Sequence, residues 1–383
     1  MQAFQFDAPR LPPQAQQTRL RVREFLAAER SAGRFMPHRC SWSTFDAEFS
    51  RRAGAAGFIG VTWPKEYGGQ AQSSLVRFVI TEEMLAAGAP CFAHWVADRQ
   101  SGPQILGKGT ERARREILPR ICRGECFFGI GMSEPDSGSD LAAVRTRAVQ
   151  APGGWVINGS KIWTSNAHRV HYLIALVRTG EPGEDRHGGL TQFIVDMAQP
   201  GVTVRPIHNL AGGHEFNEVH FADYFVPDDM MVGAEGQGWS LVTQELAFER
   251  SSPDRFLSDY RLLVETINRV GGEPDRWQAC EIGRLVGHLV ALRRMSGAIA
   301  GLLDQGTSPN TEAALVKDVG TAFEREIPEI ARRLLAVEPS LEARDDVFAE
   351  TLGHVVLHAP AYTLRGGTRE ILRGIIARGL GLR

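Results

Sequence analysis

The sequence is short of several things that would place it quickly. It has no excess of one charge: 43 basic residues face 45 acidic ones, for a formal net charge of −2. That leaves no global basic field to favour nucleic acid or an acidic membrane. No window reaches the roughly 18 consecutive apolar residues of a membrane span. The stretch Met1–Arg10 lacks a basic region followed by an apolar run, so no secretory signal is expected. Cysteine is scarce and odd in number, five in 383 residues, at positions 40, 91, 122, 126 and 280. Cys122 and Cys126 are too few for a metal cage and do not form a Cys-x-x-Cys pair. All five read as reduced packing thiols of a cytoplasmic protein, with no metal site. The chain also lacks internal repeats and low-complexity tracts.

What is present is ordinary globular composition, 43% apolar and 23% charged. This excludes a disordered chain, a collagen and a coiled-coil rod. The length implies two or three domains, with cores large enough to need no disulfide or metal staple. Three zones follow along the chain. From about Thr18 to Cys126 the pattern is mostly helical, with Val22, Phe25 and Leu26 on one face and a helix expected over Thr81–Ala87, its acidic start at Glu82 and Glu83. Trp63–Gly69 is a loop punctuated by Pro and paired Gly. From Phe127 to Pro227 the period changes to two. Asn158-Gly159 predicts a hairpin turn between 155–157 and 161–163. Further strands are expected at Tyr172–Val177, Gln192–Val195, Val202–Arg205 and Glu218–Phe221. From Gly238 onward helices return. Ile282, Leu285, Val286 and Leu289 predict one buried stripe, and Ile371, Leu372, Ile375 and Ile376 mark a last helix. The fold class is α+β, with a β part between two helical parts.

Two stretches carry chemistry. In Gly131–Asp140, small hydroxyl residues and glycines leave backbone N–H groups open to a flat polar ligand or a phosphate. Taken alone, the stretch is a weak signal and reads rather as a solvated turn. In Asn158–Asn166, Trp163 stands beside Thr164 and Ser165, so an indole is placed to stack on an aromatic cofactor while hydroxyls bond its edge. Taken alone, Trp163 reads rather as a core residue.

Together, the two stretches resemble the acyl-CoA dehydrogenase family. Further matches follow in that family's order: Gly60–Gly69, Thr81-Glu82-Glu83, Val226-Pro227, Gly236-Gln237-Gly238-Trp239 and the tail Gly366-Gly367-Thr368-Arg369-Glu370-Ile371. The resemblance covers essentially the whole chain and is weakest over 251–365. It implies an N-terminal helical domain (1–126), a middle antiparallel β-barrel-like domain (127–232) and a C-terminal four-helix bundle (233–383). It also implies FAD, an acyl-CoA substrate, electron-transfer flavoprotein as electron acceptor, and a homodimer or homotetramer. By the same resemblance Ile130, Met132 and Ser133 meet the flavin edge, and Ser139 touches cofactor or CoA. Trp163 covers a flavin face, with Thr164 and Ser165 at the ring. Gly367, Thr368 and Glu370 meet the cofactor from the tail, and Arg250 lies at the substrate.

The family's reaction removes the proton α to a thioester, which needs a positioned carboxylate. Many members carry that base in the tail, where this chain has Gly366. In another branch, including isovaleryl- and long-chain-type enzymes, a Glu-Arg pair on a C-terminal-domain helix supplies it. Here that pair is Glu249-Arg250. Glu249 continues the helical spacing of Trp239, Val242 and Leu246, and Ser252-Pro253 looks like the next helix start. Two segments depart from the family. The Arg-x-x-Phe-Gly region reads Asn268–Trp277 and the Gln-x-x-Gly-Gly region reads Leu352–Val356, so the grip on a neighbouring subunit's FAD pyrophosphate falls to Arg269, Arg276 or a different chain. Two rival readings stand beside the dehydrogenase: a flavin oxidase or monooxygenase of the same fold, and a non-catalytic or half-site partner subunit of a hetero-oligomer.

Overall fold

The computed structural model describes residues 4, 6–7, 9–37, 44–181, 183–250, 252–343 and 345–382, apart from the side chains of 245–249. In chain order the helices α1 (Pro13–Ser31), α2 (Ala47–Ala55), α3 (Ser74–Ala86), α4 (Phe92–Val96), α5 (Gly102–Lys108) and α6 (Glu111–Cys122) come first. The strands β1 (Phe128–Gly131), β2 (Arg147–Ala151), β3 (Gly154–Ser165), β4 (Tyr172–Arg178), β5 (Leu190–Asp196), β6 (Val202–Ile207), β7 (Phe216–Pro227) and β8 (Met231–Val232) follow. Then come α7 (Gly238–Arg250), α8 (Tyr260–Val270), α9 (Arg276–Asp304), α10 (Asn310–Leu334), α11 (Val347–Tyr362) and α12 (Arg369–Gly379). This is the expected α+β arrangement of a helical region, a central β-sheet region and C-terminal helices. No described helix is long and apolar enough to cross a membrane. Among the described cysteines, 91, 122, 126 and 280 are free thiols; Cys40 lies outside the described residues. Burial pushes Cys122 and Cys126 up to about 12, which leaves them unreactive.

The elements form two compact units, one of 46–71 and 92–246, the other of 1–45, 72–91 and 247–383. In the first, one eight-stranded sheet runs β6-β7-β3-β2-β4-β5-β8, with β1 parallel to β4. β4 and β5 are buried on both faces, and their near-continuous apolar runs follow from that. The loop Trp63–Gly69 holds a single 3-10 turn, Lys65–Tyr67, and buries Trp63.

One expectation in this unit fails. Asn158-Gly159 is not a hairpin turn, because β3 runs straight through it. The hairpin lies earlier, at Pro152-Gly153, where Ala151 pairs with Gly154. Asn158-Gly159 instead marks a register shift between β3 and β7. The Asn158 amide bonds both the side chain and the backbone N–H of Asp223, itself at φ 47 on β7. Gly159 has φ 141, and a Cβ there would lie 2.7 Å from Thr146 Cα. Asn-Gly supplies here the same backbone freedom, used for a bulge.

In the second unit three expectations are corrected. α3 begins at Ser74, not Thr81; the Ser73 hydroxyl accepts from Val76 N–H, and Asp304 accepts from Ser74 and Leu75 N–H. Glu82 and Glu83 therefore sit late in the helix and serve as ion-pair partners. Glu82 holds Arg19 and Arg293, and Glu83 holds Arg19 and Arg23. The predicted stripe on α9 is only partly buried. Leu285 is covered, Val286 is 39% exposed, and the helix is buried chiefly over 292–300. Ser252-Pro253 opens a single 3-10 turn, Pro253–Arg255, without a side-chain cap, and the next α-helix waits until Tyr260.

Gly159→Ala tests the bulge. An added Cβ meets backbone at a left-handed φ, which should cost about 1–3 kcal/mol. The urea midpoint measures it, and an unchanged midpoint would refute the reading.

Candidate functional site

The site starts from a buried ion pair in the sheet unit. Lys161 lies on β3 with no exposed surface, and its Nζ is 2.7 Å from Glu134 Oε1 and 3.2 Å from the Met132 carbonyl. Glu134 also accepts from the backbone N–H groups of Arg145 (2.6 Å) and Thr146 (2.9 Å). Desolvation pushes this carboxyl up, but the Lys161 ammonium and these N–H donors outweigh it, and the net shift is downward. Burial lowers Lys161 to about 8, so the pair is ionised at neutral pH. Ile162 N–H donates to the Ser133 carbonyl at 2.9 Å. These contacts bring the two motif stretches together: Met132-Ser133 at the end of β1 lies against Lys161–Trp163 of β3.

What this junction presents is unusual. Trp163 has φ 60, sits at a second register shift of β3, and is 56% exposed. A large aromatic in the left-handed region, left open to solvent, is a strained arrangement of the kind found at functional sites. Its ring meets Phe216 edge-on at 6.1 Å. Ile130, Met132, Ser133 and Ser165 are half-buried. Thr164 is fully buried, so its side chain faces the core, and its carbonyl accepts from Asn217 Nδ2 at 3.2 Å. Ser139 is exposed beyond the tight turn that Glu134 and Ser137 close with paired backbone bonds. An exposed indole beside half-buried hydroxyls and a strand end fits a flat aromatic ring with a polar edge, as a flavin would present.

The tail residues lie in the helical unit. Arg250, buried at the end of α7, donates from Nε to the Gly366 carbonyl at 3.4 Å. Gly366 and Gly367 have φ 66 and 101, values glycine reaches freely. Thr368 is the N-cap residue of α12. Glu370, in its first turn, is held below the usual carboxylate range by its own backbone N–H and by the Thr368 hydroxyl. Before the turn, Arg365 donates to Ser258 Oγ (2.8 Å), the Asp254 carbonyl (3.1 Å) and Glu324 Oε2 (3.2 Å). Glu324 has no exposed surface, and burial pushes its carboxyl up to about 7 against the pull of Arg365. The Glu249 backbone belongs to α7, while its side chain lies outside the described residues. Arg269 is paired with Asp346, and Leu352–Val356 lies within α11. Among the described residues no cluster of His, Cys, Asp and Glu is fit to hold a metal.

Sequence reasoning passed over Lys161, Glu134, Phe216, Asn217 and Arg365. Lys161 left one usable signal, a lysine at an inward position of a strand. Lys161→Met leaves Glu134 buried without its cation, and breaking such a pair typically costs about 3–5 kcal/mol. Adding Glu134→Gln should return at least half of that loss. Urea midpoints of the apo-protein check both, and a single variant as stable as the parent would remove the pair from its role.

Comparison with known proteins bears on this geometry. Residues 12–125 match the model of the acyl-CoA dehydrogenase N-terminal domain, and 129–224 that of the middle domain. Acyl-CoA dehydrogenase IpdE1 of Mycobacterium tuberculosis is 35% identical over 340 residues, 87% of each chain. Among solved structures, the Tcur3481-Tcur3483 steroid ACAD superposes with a TM-score of 0.86 at 26% identity, over 98% of this chain and 99% of that one. The ChsE4-ChsE5 complex of Mycobacterium tuberculosis superposes with a TM-score of 0.82 at 29% identity, over 97% and 98%. On these grounds the chain belongs to the acyl-CoA dehydrogenase family, whose members are FAD flavoproteins, and it is an oxidoreductase.

Proposed function

We propose that the chain dehydrogenates an acyl-CoA thioester between its α and β carbons to give the trans-2-enoyl-CoA, with Glu249 taking the α proton. One observation carries the assignment of the base. Buried Arg250, the neighbour of Glu249 at the end of α7, bonds the carbonyl of Gly366, the tail position that in many family members carries the carboxylate. The end of α7 thus meets the tail position that has no carboxylate of its own, and Glu249 is the residue before Arg250 in the chain. A positioned carboxylate is what removal of a proton α to a thioester requires.

When bound, FAD supplies the two-electron acceptor for hydride from the β carbon. Ile130, Met132, Ser133, Trp163, Thr164 and Ser165 hold the ring from the sheet unit, Thr164 through its backbone. Gly367, Thr368 and Glu370 hold the cofactor from the tail. Ser139 and Arg250 contact the substrate. Electron-transfer flavoprotein then takes the electrons. The likeness to a structure described as a steroid ACAD supports a bulky, ring-bearing acyl group. The free cysteines support a cytoplasmic protein, and the three-domain division at 126 and 232 belongs to the same reading.

A second reading concerns assembly. Both solved relatives described above are named as pairs, Tcur3481-Tcur3483 and the ChsE4-ChsE5 complex, and Asn268–Trp277 and Leu352–Val356 lack the family's segments for gripping FAD across a subunit boundary. We infer a hetero-oligomer in which a second family member completes the cofactor site. Expressed alone, the chain should carry well under one FAD per chain; co-expressed with that partner it should be saturated. A homodimer or homotetramer saturated with FAD would overturn the hetero-oligomer and leave the dehydrogenase standing.

Glu249→Gln keeps shape but accepts no proton at neutral pH, and should slow anaerobic flavin reduction by about 10²- to 10⁴-fold while FAD stays bound. The substrate comes from a panel of straight-chain, branched and ring-bearing acyl-CoA esters. Reduction within a few-fold of the parent rate places the base elsewhere. Fast reoxidation of the reduced protein by air would favour an oxidase.

A further inference from the structure

We propose that Lys317 is a positioning residue for the tail: from inside the helical unit its ammonium fixes the Gly367 carbonyl, and with it the conformation of the turn that presents Thr368. The turn needs such a device. Gly366 and Gly367 are consecutive glycines at positive φ, and glycine populates both signs of φ about equally. Left to itself, this dipeptide has no preferred geometry and no side chain to anchor it.

The surroundings supply the anchors. Lys317 lies on α10 with no exposed surface, and its Nζ donates to the Gly367 carbonyl. The next residue, Asp318, accepts from Arg369 Nε at 2.7 Å and from Arg373 Nε at 3.5 Å, both on α12. Two adjacent residues of one helix therefore hold the chain immediately before and immediately after Thr368. Arg250 adds a further contact: it bonds the Gly366 carbonyl, and a Cβ on Gly367 would lie 3.4 Å from its Nη2. Burying an ammonium is costly, and an apolar residue of similar length would pack α10 without that cost. A buried lysine that donates to a backbone carbonyl constrains where that carbonyl can lie. The role of the tail in meeting FAD and thioester is taken from the function proposed above; the clamp rests on the contacts alone.

The test compares Lys317→Met and Lys317→Arg with the parent chain by amide hydrogen exchange of the apo-protein. Loss of a charge-assisted hydrogen bond should speed exchange over 367–371 by about tenfold or more, with the middle of α10 within about threefold of the parent. Lys317→Arg, which keeps a donor, should restore most of the protection. In the protein loaded with FAD, together with its partner chain if it needs one, Lys317→Met should weaken FAD binding by about tenfold, and Lys317→Arg should recover it. Should Lys317→Met not accumulate as folded protein, Lys317→Gln replaces it and is read in the same way. Tail exchange within twofold of the parent overturns the clamp, whatever the enzyme does. A parent protein that binds FAD but is reduced by no acyl-CoA overturns the proposed function, while the exchange result still decides the clamp.

Discussion

The motif in the sheet unit depends on a charge that has no water around it. Lys161 is fully buried, and an ammonium in that position is tolerable only if its partner is ionised and close. Glu134 meets both conditions because backbone N–H groups from Arg145 and Thr146 satisfy its remaining lone pairs. The same carboxylate thereby joins three pieces of chain: the end of β1, the approach to β2, and the middle of β3. A buried apolar pair of equal volume would fill the space, but it would not fix which backbone groups face one another. The ion pair sets the position of β3 against Met132 and Ser133, and the placement of Trp163 follows.

That placement stores strain. Trp163 at φ 60 and Asn166 at φ 50 are both in a region that residues with a Cβ seldom occupy. The cost is offset by bonds on either side. Asn166 N–H donates to the Glu215 carbonyl at 2.6 Å, and Asn217 Nδ2 donates to the carbonyls of Thr164 and Glu215. β7 thus acts as a splint on the bent end of β3, turning the indole outward where a regular strand would have alternated it into the core.

The strands at 172–178, 190–196 and 202–207 were legible because period two and turn residues are local signals. Asn158-Gly159 was misread because a hairpin and a bulge ask the same thing of the backbone; only the strand opposite decides between them. Glu82 and Glu83 were misread for a similar reason, since an acidic pair suits a helix start and an ion-pair network alike, and the partners Arg19 and Arg293 are remote in sequence. The α9 stripe has helical period, but period does not say whether a face is covered. In the site, the hydroxyls and the tryptophan were visible as residue types. Lys161 showed only as a lysine at an inward strand position, and its pairing with Glu134 leaves no trace until the register is known. Gly366 was informative through what it lacks, and that inference needed the family's pattern for comparison.

Each unit holds its motif in the same manner. In the sheet unit a buried lysine reaches the Met132 carbonyl; in the helical unit a buried lysine reaches the Gly367 carbonyl. In both cases the group held is main chain, beside residues whose backbone and hydroxyls face the cofactor in the proposed reading. This is what chemistry carried by a cofactor asks of a protein. The redox step belongs to the flavin, so the chain contributes placement, and placement to a fraction of an ångström requires supports that do not slide. Apolar contacts resist compression but tolerate small lateral shifts. A buried ammonium resists any movement that would lengthen its hydrogen bond, because no water stands ready to replace the lost partner. The cost of desolvating each lysine is therefore the source of the stiffness it imparts to the backbone it holds.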